Sequence, residues 1–214
     1  MSKVILSLET SSTICSTAII QNDDVLSCVE ELYPREHNER LPQFIKTTLG
    51  DCNKTIEDVD ALAISIGPGS FTGLRIGLGF CKGLAYSKGL PIIPVPTILS
   101  LAFALRDFEP ENGILLSHAK KIFYQGFDWK DNLPRIKDKA IVNDIDEYLD
   151  GREIGFHSNC GNFFDTDDAI QEVIHSARHI GLLAYLFFDE WVIDRPYDLV
   201  PDYIAPFEIK RSVR

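Results

Sequence analysis

The sequence is poor in the residues that build disulfide frameworks, zinc sites and nucleic-acid-binding surfaces. Its five cysteines include no Cys-x-x-Cys pair, so scattered thiols in a reducing compartment are expected rather than a disulfide framework or a zinc site. Basic residues are also scarce, because 21 Lys and Arg stand against 32 Asp and Glu and give a net charge of −11. Tight binding of nucleic acid by the chain alone is therefore not expected, since that affinity comes largely from neutralised phosphates.

Long hydrophobic runs are missing as well. The N-terminal run Val4–Leu8 is too short for a signal peptide, and no stretch reaches the length needed to cross a bilayer. We therefore expect a cytoplasmic protein with no membrane association. The content of 45% hydrophobic and 25% charged residues is that of an ordinary globular protein.

The most informative segment follows a predicted buried strand, Ala61–Ile66, and reads Gly-Pro-Gly-Ser-Phe-Thr-Gly-Leu-Arg-Ile-Gly from Gly67 onward. The Gly-Pro-Gly break predicts a turn, after which Ser70 or Thr72 can cap a helix that reaches about Lys88. Four glycines inside this predicted helix each cost about 0.5–1 kcal/mol relative to alanine. Their presence indicates that a neighbour approaches the helix too closely for ordinary side chains.

The small residues of this helix form a stripe. Gly73, Gly77, Cys81 and Ala85 stand four apart and therefore share one face. Familiar phosphate and nucleophile motifs do not fit, because no P-loop lysine follows Gly73 and Thr72 stands where a dinucleotide fingerprint or a nucleophile elbow needs glycine. Close packing on a partner helix and an anion held by the free amides at the helix start stay open. We favour a second polypeptide on the stripe, because the stripe extends several turns beyond the helix start.

The hydrophobic patterns predict an α/β fold with two domains, 1–107 and 108–214. In the first domain the predicted elements are strands Val4–Glu9, Ser16–Gln21 and Val25–Glu30, a helix Glu39–Leu49 capped by Asn38, strand Ala61–Ile66, the glycine-rich helix, strand Pro91–Pro96 and a helix from Thr97 to about Arg106. In the second they are strands Ile114–Ser117, Ile122–Trp129 and Glu153–His157, a helical turn Ile145–Leu149 and a long helix Asp167–Asp189.

Four segments occur together in one chain: Leu8-Glu-Thr-Ser-Ser12, His37-Asn-Glu-Arg-Leu41, Gly67–Gly77 and Pro94-Val-Pro96. Their combination resembles the TsaB family, also called YeaZ, whose members are accessory subunits in bacterial synthesis of threonylcarbamoyladenosine on transfer RNA. The resemblance is strong over roughly residues 4–105. It implies two ribonuclease-H-like lobes of the actin, Hsp70 and sugar-kinase type, with a reduced C-terminal lobe.

The resemblance also implies a non-catalytic subunit. Such a subunit binds and activates a TsaD-like catalytic partner, helps recruit a TsaE-like ATPase, forms a homodimer when alone and meets tRNA only within the complex. The complex with the TsaD-like partner and the homodimer both use two helices, which map here to Glu39–Leu49 and Thr72–Lys88. The residues expected at the partner interface are Glu39, Arg40, Phe44, Gly69, Phe71, Thr72, Gly73, Arg75, Ile76, Gly77, Phe80 and Cys81.

The alternative is a nucleotide-binding ATPase or kinase-like enzyme that uses the cleft between the lobes. Its candidate nucleotide-binding residues are Glu9, Thr10, Ser11 and Ser12. Glu9 stands where nucleotide-binding members of the fold carry Asp, however, and the next three residues lack the glycine of a phosphate loop. No cofactor of the chain's own is expected, and ATP or ADP at the partner interface stays open. A peptidase is disfavoured, because no complete metal, Ser/His or Cys/His arrangement is present.

Two further pairs carry hypotheses. His175 and His179 stand four apart on the predicted long helix and have the spacing of metal ligands, although no third ligand is evident and two partly exposed histidines are the favoured interpretation. Arg75 and Lys82 are seven apart and are expected on a similar face. A partner salt bridge, a ligand contact and simple solvation stay open for them.

Overall fold

Two β-sheets, one in each half of the chain, organise the computed structural model, which describes residues 2–32, 36–149, 154–164 and 170–204. The first sheet contains β1 (Val4–Glu9), β2 (Ile14–Gln21), β3 (Asp24–Leu32), β4 (Ala61–Gly67) and β5 (Ile92–Pro96) in the order β3-β2-β1-β4-β5. β1, β2 and β3 are antiparallel, whereas β4 and β5 run parallel to β1. This is a ribonuclease-H-like lobe, so the predicted fold class is confirmed.

Successive side chains of a strand point to opposite faces of the sheet, and different helices cover the two faces of the first sheet. Leu6 and Leu8 of β1 pack under α1 (His37–Asp51) and α2 (Phe71–Lys88). Ile5 of the same strand points to the opposite face, where α3 (Thr97–Ala104) lies. α1 and α2 therefore lie side by side on one face of the lobe.

The second sheet has six strands and is more irregular than the first. Its strands are β6 (Asn112–His118), β7 (Lys121–Lys130), β8 (Leu133–Ile136), β9 (Ile141–Asp144), β10 (Phe156–Ser158) and β11 (Gln171–Glu172), with the short helix α4 (Asp146–Leu149) after β9. The order is β11-β10-β6-β7-β8, and β9 pairs with β7. The sequence analysis predicted the strands at β6, β7 and β10 and the helical turn at α4, but missed β8, β9 and β11.

The prediction of one long helix over Asp167–Asp189 is wrong. Instead, β11 adds to β10, the Val173 amide donates to the His157 carbonyl oxygen (2.8 Å), and Ser176 caps a shorter helix, α5 (Ala177–Leu186), which is followed by α6 (Phe188–Trp191). The predicted starts at 153 and 167 lie outside the described residues.

α5 comes from the second half of the chain but packs on the first sheet, opposite α1 and α2. Its Gly181 is the point of closest approach, because a Cβ there would overlap Ile20 and would lie 2.7 Å from Ser7 Oγ. The domain division at residue 107 stays a prediction. No helix within the described ranges combines the length and apolar character that a bilayer crossing requires.

Candidate functional site

The start and end of α2 follow from its sequence. Ser70 is the N-cap, and its Oγ accepts a hydrogen bond from the Gly73 amide (3.3 Å). Gly89 ends the helix in the left-handed conformation at φ 68°, which glycine adopts without steric cost. The predicted helix from the Ser70 cap to Lys88 is confirmed. The helix α1 instead begins at His37 with Glu36 as N-cap, so the predicted cap at Asn38 is wrong.

The stripe of small residues packs against the chain's own first sheet. A Cβ on Gly73 would overlap the Thr10 carbonyl oxygen, and a Cβ on Gly77 would overlap Thr10 Oγ1 and lie 3.0 Å from Ile64 Cδ1. Cys81 is fully buried in the same apolar cluster. The interpretation that a second polypeptide packs on this stripe is therefore wrong, because the loop after β1 and strand β4 already fill the space.

A second stripe runs along the opposite face of α2. Its members Thr72, Ile76, Gly79, Gly83 and Tyr86 are separated alternately by four and three residues, which keeps them on one side of the helix. All are exposed except Ile76, which is half-buried. Among the described residues, no atom outside the backbone of α2 lies within 4 Å of a Cβ placed on Gly79 or Gly83. This outer stripe leaves room for the close approach of another helix.

The twelve predicted interface residues divide into those on the outer surface of the lobe and those buried inside it. Those with exposed or half-buried positions on the outer surface are Glu39, Arg40, Gly69, Phe71, Thr72, Arg75, Ile76 and Phe80. Those buried in the lobe are Phe44, Gly73, Gly77 and Cys81. The buried four can shape the surface only by positioning α1 and α2.

A C-terminal segment, residues 196–204, lies along α2 and contributes to the same surface. Tyr203 OH accepts a hydrogen bond from Arg75 Nε (2.9 Å), and the Tyr197 carbonyl oxygen accepts one from Lys82 Nζ (2.8 Å). Arg75 also stacks over the Phe71 ring, 3.7 Å from its centroid. Both cations therefore have partners inside the chain, which the sequence hypotheses for them did not include.

Sequence reasoning missed the aromatic part of this surface. Tyr86, Tyr197 and Tyr203 have 77%, 59% and 42% of their surfaces exposed, and Val200 has 67%. The four-three spacing that begins at Thr72 could have identified Tyr86. The other three residues lie more than 100 positions away along the chain, and no local pattern links them to α2.

The four candidate nucleotide-binding residues lie at the end of β1 and in the loop after it, where Glu9, Thr10 and Ser11 are buried and Ser12 is half-buried. The Glu9 side chain is fully buried, its Oε1 accepts a hydrogen bond from the Ser11 amide (2.5 Å), and it lies 3.9 Å from His175 Nδ1. Burial by itself raises the pKa of the Glu9 carboxyl, but the adjacent His175 and the Ser11 amide outweigh this effect and hold the pKa below its usual value.

A large cleft lies between the start of α2 and the second sheet. Its volume is about 1060 Å³, and its lining includes Ser70 and Phe71 on one side and His118 and Lys121 on the other. None of the residues 9–12 is among its lining residues. The loop that carries Glu9 and the cleft between the lobes are therefore separate places in the described part of the molecule.

The two histidines of the metal hypothesis do not face each other across a helix turn. His175 precedes α5 and contacts Ser11 Oγ (3.1 Å), whereas His179 lies within α5. Burial and the neighbouring Arg178 lower the pKa of His179 to about 4. Among the described residues no group of three His, Cys, Asp or Glu side chains is placed to hold a metal ion.

The comparisons with known proteins agree with this architecture. Residues 27–147, more than half of the chain, match the model of the family described as TsaD, tRNA N6-adenosine threonylcarbamoyltransferase. The chain belongs to this family. Within it, curated relatives support membership of the TsaB (YeaZ) group.

Several curated relatives bear the name tRNA threonylcarbamoyladenosine biosynthesis protein TsaB, among them proteins from Escherichia coli and Haemophilus influenzae. The Escherichia coli protein is 41% identical over 98 residues, which cover 46% of this chain and 42% of that protein. The Haemophilus influenzae protein is 29% identical over 153 residues, which cover 70% of this chain and 61% of that protein. The chain thus spans roughly half of the length of these curated relatives.

The solved structures bear on the fold alone. YeaZ from Pseudomonas aeruginosa superimposes with a TM-score of 0.78 at 22% identity, covering 94% of this chain and 99% of that one. The two-lobed arrangement of this chain is therefore that of YeaZ.

Proposed function

We propose that this chain is a non-catalytic accessory subunit that binds a TsaD-like catalytic partner. In the assembled complex the partner transfers the threonylcarbamoyl group to the adenosine next to the anticodon of tRNA. The observation that carries the proposal is the outer stripe of α2, whose glycines leave an open approach in a chain whose relatives are named TsaB.

The proposed interface combines both outward helices. Gly79 and Gly83 permit a close backbone approach, and the half-buried Ile76 and Phe80 beside them supply apolar surface. On α1, Glu39 and Arg40 are exposed and can form the polar rim that surrounds the core of most interfaces. A homodimer of the isolated chain would use the same face and would therefore exclude the partner.

Other members of the complex enter this proposal only through the partner. A TsaE-like ATPase would be recruited by the assembled pair, and tRNA would bind only to the complex, because the chain's net charge of −11 opposes phosphate binding by the chain itself. The burial of Glu9 against His175 argues against a nucleotide hydrolase that uses this carboxylate. ATP or ADP at the partner interface stays a separate possibility for experiment.

Reconstitution tests the proposal. The purified TsaD-like partner from the same organism would be incubated with tRNA and threonylcarbamoyl-adenylate, with and without this chain, and the modified nucleoside would be quantified by mass spectrometry. We expect modification to be at least about tenfold faster when both proteins are present, and none with this chain alone. Modification by this chain alone, or no stimulation of the partner, would contradict the proposal.

A further inference from the structure

A buried polar cluster joins two distant parts of the chain at the end of β1. His175 Nδ1 lies 3.1 Å from Ser11 Oγ and 3.9 Å from Glu9 Oε1, and all three side chains are at most 2% exposed. Glu9 Oε2 has no hydrogen-bond partner among the described residues. A buried carboxylate is costly unless it is paired, and the groups that the structure places beside Glu9 Oε1 are the Ser11 amide and His175.

The opposite side of the same loop supports the start of α2. The Ser70 amide donates to the Ser11 carbonyl oxygen (2.6 Å), and Thr10 Oγ1 donates to the Gly73 carbonyl oxygen (2.9 Å). The loop and the residues before α2 are so close that a Cβ on Gly69 would lie 2.6 Å from the Ser11 carbonyl oxygen. Because close-packed interiors transmit displacement, a shift of Ser11 would move the first turn of α2.

The charged groups around His175 come from several elements. Glu9 faces it from β1, and Cys15 on β2 lies near enough to Glu9 that burial and this carboxylate raise the pKa of the thiol to about 12. Glu30 on β3 accepts a hydrogen bond from Ser176 Oγ (2.5 Å) and pairs with Arg178 at 3.4 Å. Glu30 therefore already has Arg178 as its partner, whereas the side chain that faces Glu9 is His175.

We propose that His175 is a positioning residue for the proposed partner surface. It holds the loop Glu9–Ser11, and this loop fixes the first turn of α2, which carries Phe71, Thr72 and Arg75. The effect on partner binding rests on the proposed function, but the effect on the helix start does not.

Hydrogen exchange measured by mass spectrometry on the full chain tests the positioning role without any partner. The variants are His175→Leu, which removes the hydrogen bond to Ser11, and His175→Gln, which keeps a polar partner for Ser11. His157→Gln is the matched control, because His157 is also buried but contacts Phe164 in the second half of the chain. We expect His175→Leu to raise exchange in residues 67–76 about tenfold, as for the loss of one buried hydrogen bond.

The conservative variants separate a specific role from general destabilisation. His175→Gln should restore part of the protection, and adding Glu9→Gln to it should restore more, because the neutral pair leaves no unpaired buried charge. His157→Gln should leave residues 67–76 unchanged. The proposal is overturned if His175→Leu leaves their exchange unchanged, or if it accelerates exchange equally in 67–76 and throughout α3.

Partner binding gives the second arm of the test. If the wild-type chain binds the TsaD-like partner, His175→Leu should weaken binding about tenfold and His157→Gln should not. Unchanged binding by His175→Leu would overturn the proposed role in partner binding. A wild-type chain that binds no partner would instead contradict the proposed function, and the exchange data would still decide the positioning role.

Discussion

Alanine substitutions along α2 test whether the face that carries Gly73 packs inside its own lobe or is an open surface for a partner protein. At Gly73 the new methyl group would overlap a backbone carbonyl oxygen, that of Thr10, and such overpacking costs about 1–3 kcal/mol. Helix propensity returns about 0.5–1 kcal/mol. The middle values of the two ranges differ by about 1 kcal/mol, so Gly73→Ala should lower the free energy of unfolding by about 1 kcal/mol, and by about 2.5 kcal/mol at most.

The same change at Gly79 should have the opposite sign. In the described part of the chain no atom outside the backbone of α2 lies within 4 Å of the added methyl group, so only the propensity gain of about 0.5–1 kcal/mol remains. Urea unfolding followed by circular dichroism measures both variants under identical conditions. A Gly73→Ala variant as stable as the wild type, or a Gly79→Ala variant that loses stability, would refute the assignment of inner and outer faces.

Two further predictions concern titration and thiol chemistry. The pKa of His179 is lowered to about 4, so between about pH 6.5 and 4 the unfolded chain binds a proton that the folded chain does not, and stability falls as the pH falls. Between pH 7 and pH 5 this group should lower the free energy of unfolding by about 2 kcal/mol. His179→Gln should therefore make the free energy of unfolding less dependent on pH over this range. An unchanged dependence on pH would contradict the lowered pKa of His179. Burial raises the pKa values of Cys15 and Cys160 to about 12, so a thiol reagent at pH 8 should label them only after denaturation, and rapid labelling of the folded chain would show that they are accessible.

The first lobe was largely predictable from local patterns. The apolar run Val4–Leu8 and the cap candidate Ser70 are local signals, and the strand and helix that they predict are present. The spacing of Gly73 and Gly77 correctly indicated a close neighbour. Periodicity does not say which neighbour, however, and here it is the loop after β1.

The second half was less predictable, because tertiary contacts override local preference there. Apolar residues at helical spacing precede Ser176, yet Gln171 and Glu172 form a strand on β10. Glu9 and His175 are 166 positions apart in the sequence, and no local sequence pattern predicts their contact. The aromatic residues of segment 196–204 are likewise placed beside α2 by the fold alone.

The central claim is that the outer face of α2 is an interaction surface. The most direct test is to measure how tightly the TsaD-like partner binds surface variants of this chain. Gly79→Arg places a bulky cation on the outer stripe without disturbing the lobe, since no described atom outside α2 lies within 4 Å of its Cβ. Leu26→Arg is the control, because Leu26 is 42% exposed on the edge strand β3. Calorimetry should show affinity at least about 100-fold weaker for Gly79→Arg, as for the loss of an interface centre, and wild-type affinity for Leu26→Arg. Wild-type affinity of Gly79→Arg would contradict the account.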